Sequence, residues 1–432
     1  MEKRKKLPLT VFALGLTSLF TDAATEMIYP LIPIFVAALG SGALMLGVIE
    51  GTAESTAALL KLFSGVWSDK LGKRKLFVLI GYTISSLFRP LTGFVAAAWQ
   101  IVAIRMVDRV GKGIRTSPRD ALIAAAAPPE IRGRAFGFHR AMDHSGAVIG
   151  PLLALGAMAM LILGFGLRRP LPLLRYTFAL ALIPGVLAVL TLIFLVKEPK
   201  TTVPSANRFR LSLKPFDRNF KRYLLIVLIF TLGNSPDAFL LFRAREAIHQ
   251  NTELIAWFSR APLFGSLVQV FEGAEARLNV IDILFLPLIW AFFHVIKVMF
   301  ATALGALSDR TGRKRVILIG WAIYAAVYGC FAFLDRLPNA LQIEATFTLF
   351  AVYALYYSFT EGAEKALVAD LTPTDLRGSA FGLYHFTVGT AALPAGVIFG
   401  WLYHQYRAQA AFGFGAGLAL TAMVMMGLMI RE

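Results

Sequence analysis

The sequence contains a single cysteine, Cys330, among 432 residues, and only six histidines. One cysteine excludes an intramolecular disulfide and a cysteine-rich metal site. Charged residues are also scarce, at 16% of the chain, whereas hydrophobic residues make up 57%. A soluble core cannot bury so much apolar surface. The composition therefore predicts a protein whose solvent is lipid.

A nucleotide-binding loop is absent as well. Gly111-Lys112-Gly113 lacks the Gly-x-x-x-x-Gly-Lys-Ser/Thr spacing that cradles phosphates, and no strand precedes it. ATP is thus not the predicted energy source, and we expect neither an enzyme nor a cofactor. The net charge of +17 does not indicate nucleic-acid binding, because the basic residues lie in short segments between apolar runs. That distribution is typical of the cytoplasmic loops of membrane proteins.

Apolar windows of about 20 residues, long enough to cross a bilayer, recur twelve times. They cover residues 9–38, 43–67, 75–96, 99–124, 133–164 and 171–196, and then 223–247, 281–307, 315–334, 343–369, 378–403 and 409–430. We predict an N-terminal bundle over residues 1–196, a basic cytoplasmic linker over 197–222 and a C-terminal bundle over 223–432. Because the count is even, both termini lie on one side, and the basic loops place that side in the cytoplasm. The expected location is the inner membrane.

One hairpin sequence occurs twice, which indicates an internal repeat. Gly65-Val-Trp-Ser-Asp69-Lys-Leu-Gly72-Lys-Arg74-Lys75 returns as Gly305-Ala-Leu-Ser-Asp309-Arg-Thr-Gly312-Arg-Lys314-Arg315. The pattern resembles the loop between the second and third helices of the major facilitator superfamily, and its repeat between the eighth and ninth. The resemblance implies two parallel six-helix bundles with a transport path between them.

The same resemblance implies that the acid of each hairpin latches an inner gate. The candidate gating residues are Gly65, Asp69, Gly72, Arg74, Arg119, Gly305, Asp309, Gly312 and Arg313. Arg119 or Arg74 could pair with Asp69. A helix cap with a solvated partner is the alternative for this aspartate.

The repeat also aligns Asp22 with Asp237. The spacing of the aligned residues shows that the second half contains an insertion. Asp22 precedes Gly65 by 43 residues, but Asp237 precedes Gly305 by 68, so 25 residues are added, at about 249–280. Apolar residues with helical spacing in this segment predict an interfacial amphipathic helix. A re-entrant or irregular loop is the alternative.

Ionisable residues inside the spans carry the functional argument, since each costs about 2.5 to 3.5 kcal/mol at a helix centre. The candidates for coupling or substrate binding are Asp22, Glu26, Glu50, Glu54, Lys61, Arg105, His139, Arg140, Asp143, Asp237, His294, Lys297 and Glu361. Asp22 and Glu26 are one helical turn apart, which suggests a shared protonation site. Static pairs, such as Glu54 with Lys61, are the structural alternative.

Arg105 precedes closely spaced glycines, which resembles the fourth-span motif of drug:proton antiporters. The resemblance implies a monomeric secondary transporter that exports a small molecule in exchange for protons by alternating access. A cavity of carboxylates and histidines could instead carry iron or another divalent metal, and the basic residues could suit an organic anion. A receptor or scaffold with the same fold is the alternative of another class.

Overall fold

The computed structural model describes residues 7–71, 73–128, 131–198, 212–249, 256, 258, 260–373 and 376–430. These parts are helices joined by short turns, as lipid requires, because a helix satisfies its own backbone hydrogen bonds. In the first half, spans 1 to 6 are Leu9–Glu26 with Ile32–Ala38, Ala43–Leu71, Arg74–Phe88 with Arg89–Phe94, Ala98–Ala126, Arg132–Ala159 with Met160–Gly164, and Pro170–Leu180 with Leu182–Leu195.

The second half repeats this arrangement. Spans 7 to 10 are Arg218–Gly233 with Ala238–His249, Ala274–Thr311, Arg313–Ala332 and Asn339–Asp370. The last helix, Arg377–Met429, is divided by Arg407, whose φ is 63°, and so supplies spans 11 and 12. Span 7 begins five residues before the predicted boundary, because the Asp217 side chain accepts a hydrogen bond from Phe220 N at 2.7 Å and caps the helix.

Hydropathy alone finds fewer spans than the fold contains. Within the described residues, nine helical segments are long and apolar enough to cross a membrane, and the one at Ser379–Met429 holds both spans 11 and 12. Spans 4 and 10 complete the twelve. Both carry several ionisable residues, which lower their hydropathy. The predicted all-helical fold of twelve spans is confirmed.

The first span of each half is broken near its middle. Span 1 is interrupted after Glu26, ahead of Pro30 and Pro33. Span 7 is interrupted at residues 234–237, where Pro236 precedes Asp237. Proline cannot donate a helical hydrogen bond, so each break exposes polar backbone inside the bundle. The repeat-related Asp22 and Asp237 therefore stand close to comparable breaks.

Glycines bring spans together where the carboxylates lie. A Cβ atom on Gly146 of span 5 would come within 2.3 Å of Leu19 O in span 1, and one on Gly150 within 2.6 Å of Ala23 O. Glycines of spans 2 and 11 make a similar approach between the halves, since a Cβ on Gly396 would lie 2.5 Å from Gly47 O. Such close helix packing needs residues without side chains.

The insertion packs against the protein through apolar side chains of its short helix, and the location of this helix at the lipid interface stays a prediction. Its short helix, Pro262–Gln269, precedes the buried side chain of Phe271, and the Leu267 and Val268 side chains are also buried. Residues 274–280 of the insertion belong to span 8. This lengthened span offers the short helix an apolar surface that the first half lacks. Residues 250–255, 257 and 259 lie outside the described part of the chain.

Candidate functional site

A polar cavity of about 280 Å³ lies between the two halves. Nearly all of its lining side chains are ionisable or polar, and they come from spans 1, 2, 3, 4, 5, 7, 8 and 10. The lining residues are Asp22, Thr25, Glu26, Tyr29, Glu54, Arg89, Asp108, Arg109, Lys112, Arg115, Arg140, Asp143, His144, Ala147, Asp237, Trp290, His294, Lys297 and Glu361. We call this space the central cavity.

Asp22 and Asp143 form a carboxyl pair on one wall of the central cavity. Their carboxyl groups are within hydrogen-bonding reach of each other, and Ser18 Oγ donates to Asp143 Oδ1 at 2.8 Å. The approach depends on Gly146, because a Cβ there would lie 3.0 Å from Asp22 Cβ. A hydrogen bond between two carboxyl groups requires one proton on the pair. The arrangement can therefore hold and release a proton.

Glu26 does not join this pair, contrary to the predicted sharing between Asp22 and Glu26. Its Oε2 accepts a hydrogen bond from Trp290 Nε1 at 2.7 Å, and Trp290 belongs to span 8. Asp22 and Glu26 are one helical turn apart on span 1, but their carboxylates thus contact different neighbours. Glu26 links the halves, while Asp22 stays within the first half beside Asp143.

Span 4 contributes a row of cations at intervals of three and four residues, which places them on one helix face. Arg109 pairs with Glu54 of span 2 at 3.2 Å, so the suggested Glu54–Lys61 pair is replaced by one with Arg109. Arg115 donates to Ser85 Oγ at 2.5 Å. Lys112 also lines the central cavity, and among the described side chains no carboxylate oxygen lies within 4.0 Å of its Nζ.

The second half closes the central cavity with carboxylates held by aromatic and basic groups. Asp237 Oδ1 accepts from Tyr353 OH at 2.7 Å, and its Oδ2 accepts from Tyr357 OH at 3.0 Å. Lys297 lies 3.2 Å from Glu361 Oε2. Glu361 also pairs with Arg140 of span 5, which gives the halves a second polar link.

Nine of the thirteen predicted coupling or substrate residues line the central cavity: Asp22, Glu26, Glu54, Arg140, Asp143, Asp237, His294, Lys297 and Glu361. Glu50, Lys61, Arg105 and His139 do not line it. Arg105 Nη2 instead contacts both carboxylate oxygens of Glu50, at 2.8 and 2.7 Å, and both side chains are buried. His139 is also buried, and its Nε2 has no hydrogen-bond partner among the described residues.

Sequence reasoning missed several lining residues, notably Arg89, Arg109, Lys112, Arg115 and Trp290. The span 4 residues had a visible signal, since their spacing already puts them on one face. Arg89 Nη2 pairs with Asp108 Oδ1 at 2.8 Å. The two side chains thus neutralise each other, and the sequence alone does not reveal this pairing. Trp290 carries no charge and had no comparable signal.

The predicted gating residues are described only in part. The side chains of Gly65, Asp69, Gly305 and Asp309, and the whole of Gly72, lie outside the described residues. Arg119 pairs with the adjacent Asp120 at 2.9 Å, and Arg74 begins span 3.

In the second hairpin, Gly312 adopts a φ of 96°, a conformation that favours glycine. The neighbouring Arg313 donates to Ser308 Oγ at 2.7 Å and contacts Asp370 Oδ2 at 3.4 Å. The tight turn is thus tied to the end of span 10.

Two six-helix halves around a polar cavity define a multi-pass membrane transporter. The chain belongs to the major facilitator superfamily, because the model of that family matches residues 14–274 and 253–432. The predicted family is therefore confirmed, and its members are not enzymes.

Relatives and solved structures agree with this assignment. The chain is 33% identical to an uncharacterized MFS-type transporter of Methanocaldococcus jannaschii, over 98% of this chain and 95% of that protein. It is 26% identical to the quinolone resistance protein NorA of Staphylococcus aureus, over 57% and 61%. The fold is similar to a point mutant of the nucleoside transporter NupG, with a TM-score of 0.72 at 13% identity and coverage of 98% and 100%. A D-xylose-proton symporter matches with a TM-score of 0.68 at 16% identity and 98% coverage of both chains.

Proposed function

We propose that this transporter exports a small organic molecule in exchange for protons. The observation that carries the proposal is the Asp22–Asp143 carboxyl pair in the central cavity. A proton on this pair removes a negative charge from the wall opposite the cations of span 4. Loss of that proton restores the charge. Binding of a proton and binding of a charged solute are therefore electrostatically linked in one cavity.

Alternating access requires the links between the halves to break and re-form. Arg140–Glu361 and Glu26–Trp290 each join a span of the first half to a span of the second. Lys297 already contacts Glu361, so it can keep this carboxylate paired when Arg140 withdraws. We propose that both links open as one bundle rocks against the other around the central cavity.

Divalent metal transport is less well supported by the same geometry. Among the described residues, no three His, Cys, Asp or Glu side chains are grouped closely enough to hold a metal ion. His139 does not line the central cavity, and the cations of span 4 oppose a metal ion there. An organic anion is a second candidate solute of the exporter, because Lys112 has no ion partner among the described side chains. The similarity to a quinolone resistance protein supports export of a drug-like molecule.

Transport by the purified protein in liposomes tests the proposal. With an acidic lumen and a neutral exterior, an antiporter should accumulate norfloxacin, a quinolone, as protons leave. Protein-free liposomes and a protonophore provide the controls. We expect accumulation that disappears when the protonophore collapses the pH gradient. Equal uptake with and without the gradient would show that the transporter is not coupled to protons, and no uptake of the quinolone would contradict drug export.

We also propose that the protein lies in the inner membrane with both termini in the cytoplasm, which predicts a labelling pattern. In a Cys330→Ala background, Lys73→Cys should react with an impermeant maleimide only after the cells are opened. Ser41→Cys and Glu272→Cys should react in intact cells, because the positive-inside rule puts their loops outside. Labelling of Glu272→Cys solely in opened cells would overturn this orientation.

A further inference from the structure

A second cavity, of about 170 Å³, lies within the second half. Its walls come from spans 7, 9, 10 and 11, and five of the thirteen lining residues are aromatic. The lining residues are Val227, Phe230, Thr231, Asn234, Trp321, Tyr356, Tyr357, Thr360, Glu361, Glu364, Lys365, Tyr384 and Val388. We call this space the aromatic cavity.

The rings of the aromatic cavity support one another in fixed positions. Phe230 stacks on Trp321 with 4.4 Å between ring centroids and 9° between ring planes. Tyr356 lies 6.1 Å from Phe230, and Tyr384 stacks on Tyr223 at 6.5 Å. These rings are largely buried, so the cavity offers several π faces in a setting of low dielectric.

Glu364 places a carboxylate among these rings. Its Oε1 accepts from Trp321 Nε1 at 3.0 Å, and its Oε2 accepts from Tyr384 OH at 2.9 Å. Both donors are neutral, so they orient the carboxylate without cancelling its charge. Within the described residues, no Lys, Arg or His nitrogen lies within 4.0 Å of Glu364. Lys365 is the next residue and lines the same cavity, but it does not form an ion pair with Glu364.

A carboxylate that is held among aromatic rings favours ligands that carry a positive charge and lose their hydration easily. Aromatic faces attract cations through their quadrupoles, and the attraction is strongest where water is excluded. A bare metal ion requires several oxygen ligands. Of the two carboxylates in this cavity, Glu361 is already paired with Lys297 and Arg140, which leaves Glu364 to meet a ligand. A quaternary or tertiary ammonium group gives up its weaker hydration more easily and can contact rings and carboxylate together.

We propose that the aromatic cavity binds a small organic ammonium ion, held by Glu364 and by the rings of Trp321, Phe230 and Tyr356 that line the cavity. Glu361 lines both cavities, and Tyr357 lines the aromatic cavity while it donates to Asp237 in the central cavity. A bound cation therefore sits next to the proposed coupling site. This proposal goes beyond proton-coupled export, because it concerns a ligand site in the second half. Binding at this site can be measured without a pH gradient.

Calorimetric titration of the purified protein with choline tests the inference. The neutral isostere 3,3-dimethyl-1-butanol has the same shape, and carbon replaces its charged nitrogen. We expect choline to bind at least about tenfold more tightly than the isostere. Glu364→Gln should remove most of this preference, whereas Glu344→Gln, which changes an exposed carboxylate on the same span, should bind choline like the parent protein. Equal affinity for choline and the isostere would overturn the proposal.

A second variant keeps the test decisive if Glu364→Gln does not fold. Trp321→Phe retains a ring but removes the indole face and the hydrogen bond to Glu364, and we expect weaker choline binding by a protein that still folds. Unchanged choline binding in folded Trp321→Phe would contradict the proposed site. Since these titrations use no pH gradient, failure to bind choline leaves the norfloxacin experiment unaffected, and failure of proton coupling leaves choline binding unaffected.

Discussion

Asp22→Asn is expected to reduce pH-driven accumulation of norfloxacin to the level of protein-free liposomes, while the protein remains folded. Asparagine has nearly the same shape as aspartic acid but cannot take up or release a proton. It can still form a hydrogen bond to Asp143, so the packing of span 1 on span 5 should persist. The proton cycle of the carboxyl pair, however, is removed.

The measurement compares two reactions of the protein in liposomes. One is the net accumulation of norfloxacin driven by the pH gradient, and the other is the exchange of labelled for unlabelled norfloxacin. In Asp22→Asn, exchange of labelled for unlabelled norfloxacin should continue, because that reaction needs no net proton movement. Asp143→Asn should behave in the same way, since the pair requires both carboxyl groups. Glu344→Gln serves as the control for loss of an exposed carboxylate. Normal uphill transport by both Asp22→Asn and Asp143→Asn would show that the pair is structural.

The architecture was accessible from sequence because lipid allows few alternatives. Twelve apolar runs could only be helices, and the repeated hairpin at Gly65 and Gly305 fixed how the halves correspond. The position of the insertion helix was not accessible. The surface on which an apolar helix packs depends on its neighbours in the fold, and the extension of span 8 that supplies this surface is not marked by any residue pattern.

The sequence alone predicts the site only as a set of candidate residues. The cost of charges in lipid directed attention to Asp22 and Asp237, which both line the central cavity, but it could not assign their partners. Asp22 faces Asp143 because Gly146 allows span 5 to approach, and Glu54 meets Arg109 because spans 2 and 4 lie side by side. Pairs of residues that are distant in sequence are brought together by helix packing. The periodicity of residues within one span does not predict how that span packs against another.

Glu50→Gln is expected to destabilise the folded protein by about 3–5 kcal/mol, because it leaves a buried charge without its partner. Arg105 is only 2% exposed and holds both oxygens of Glu50. Its remaining carboxylate neighbour is Asp108 at 3.8 Å, which also pairs with Arg89. The guanidinium would thus keep its positive charge in the core with weaker compensation.

The double variant Glu50→Leu with Arg105→Met separates a structural role from a role in transport. Replacing both partners removes the desolvation cost together with the attraction, so the unfolding midpoint should return close to that of the parent protein. The sequence makes Arg105 a candidate for coupling, whereas in the structure it is buried against Glu50 and does not line the central cavity. This position is that of a brace between spans 2 and 4. We therefore expect the double variant to retain pH-driven norfloxacin accumulation in liposomes. A stable double variant that has lost this accumulation would restore Arg105 to the proton path.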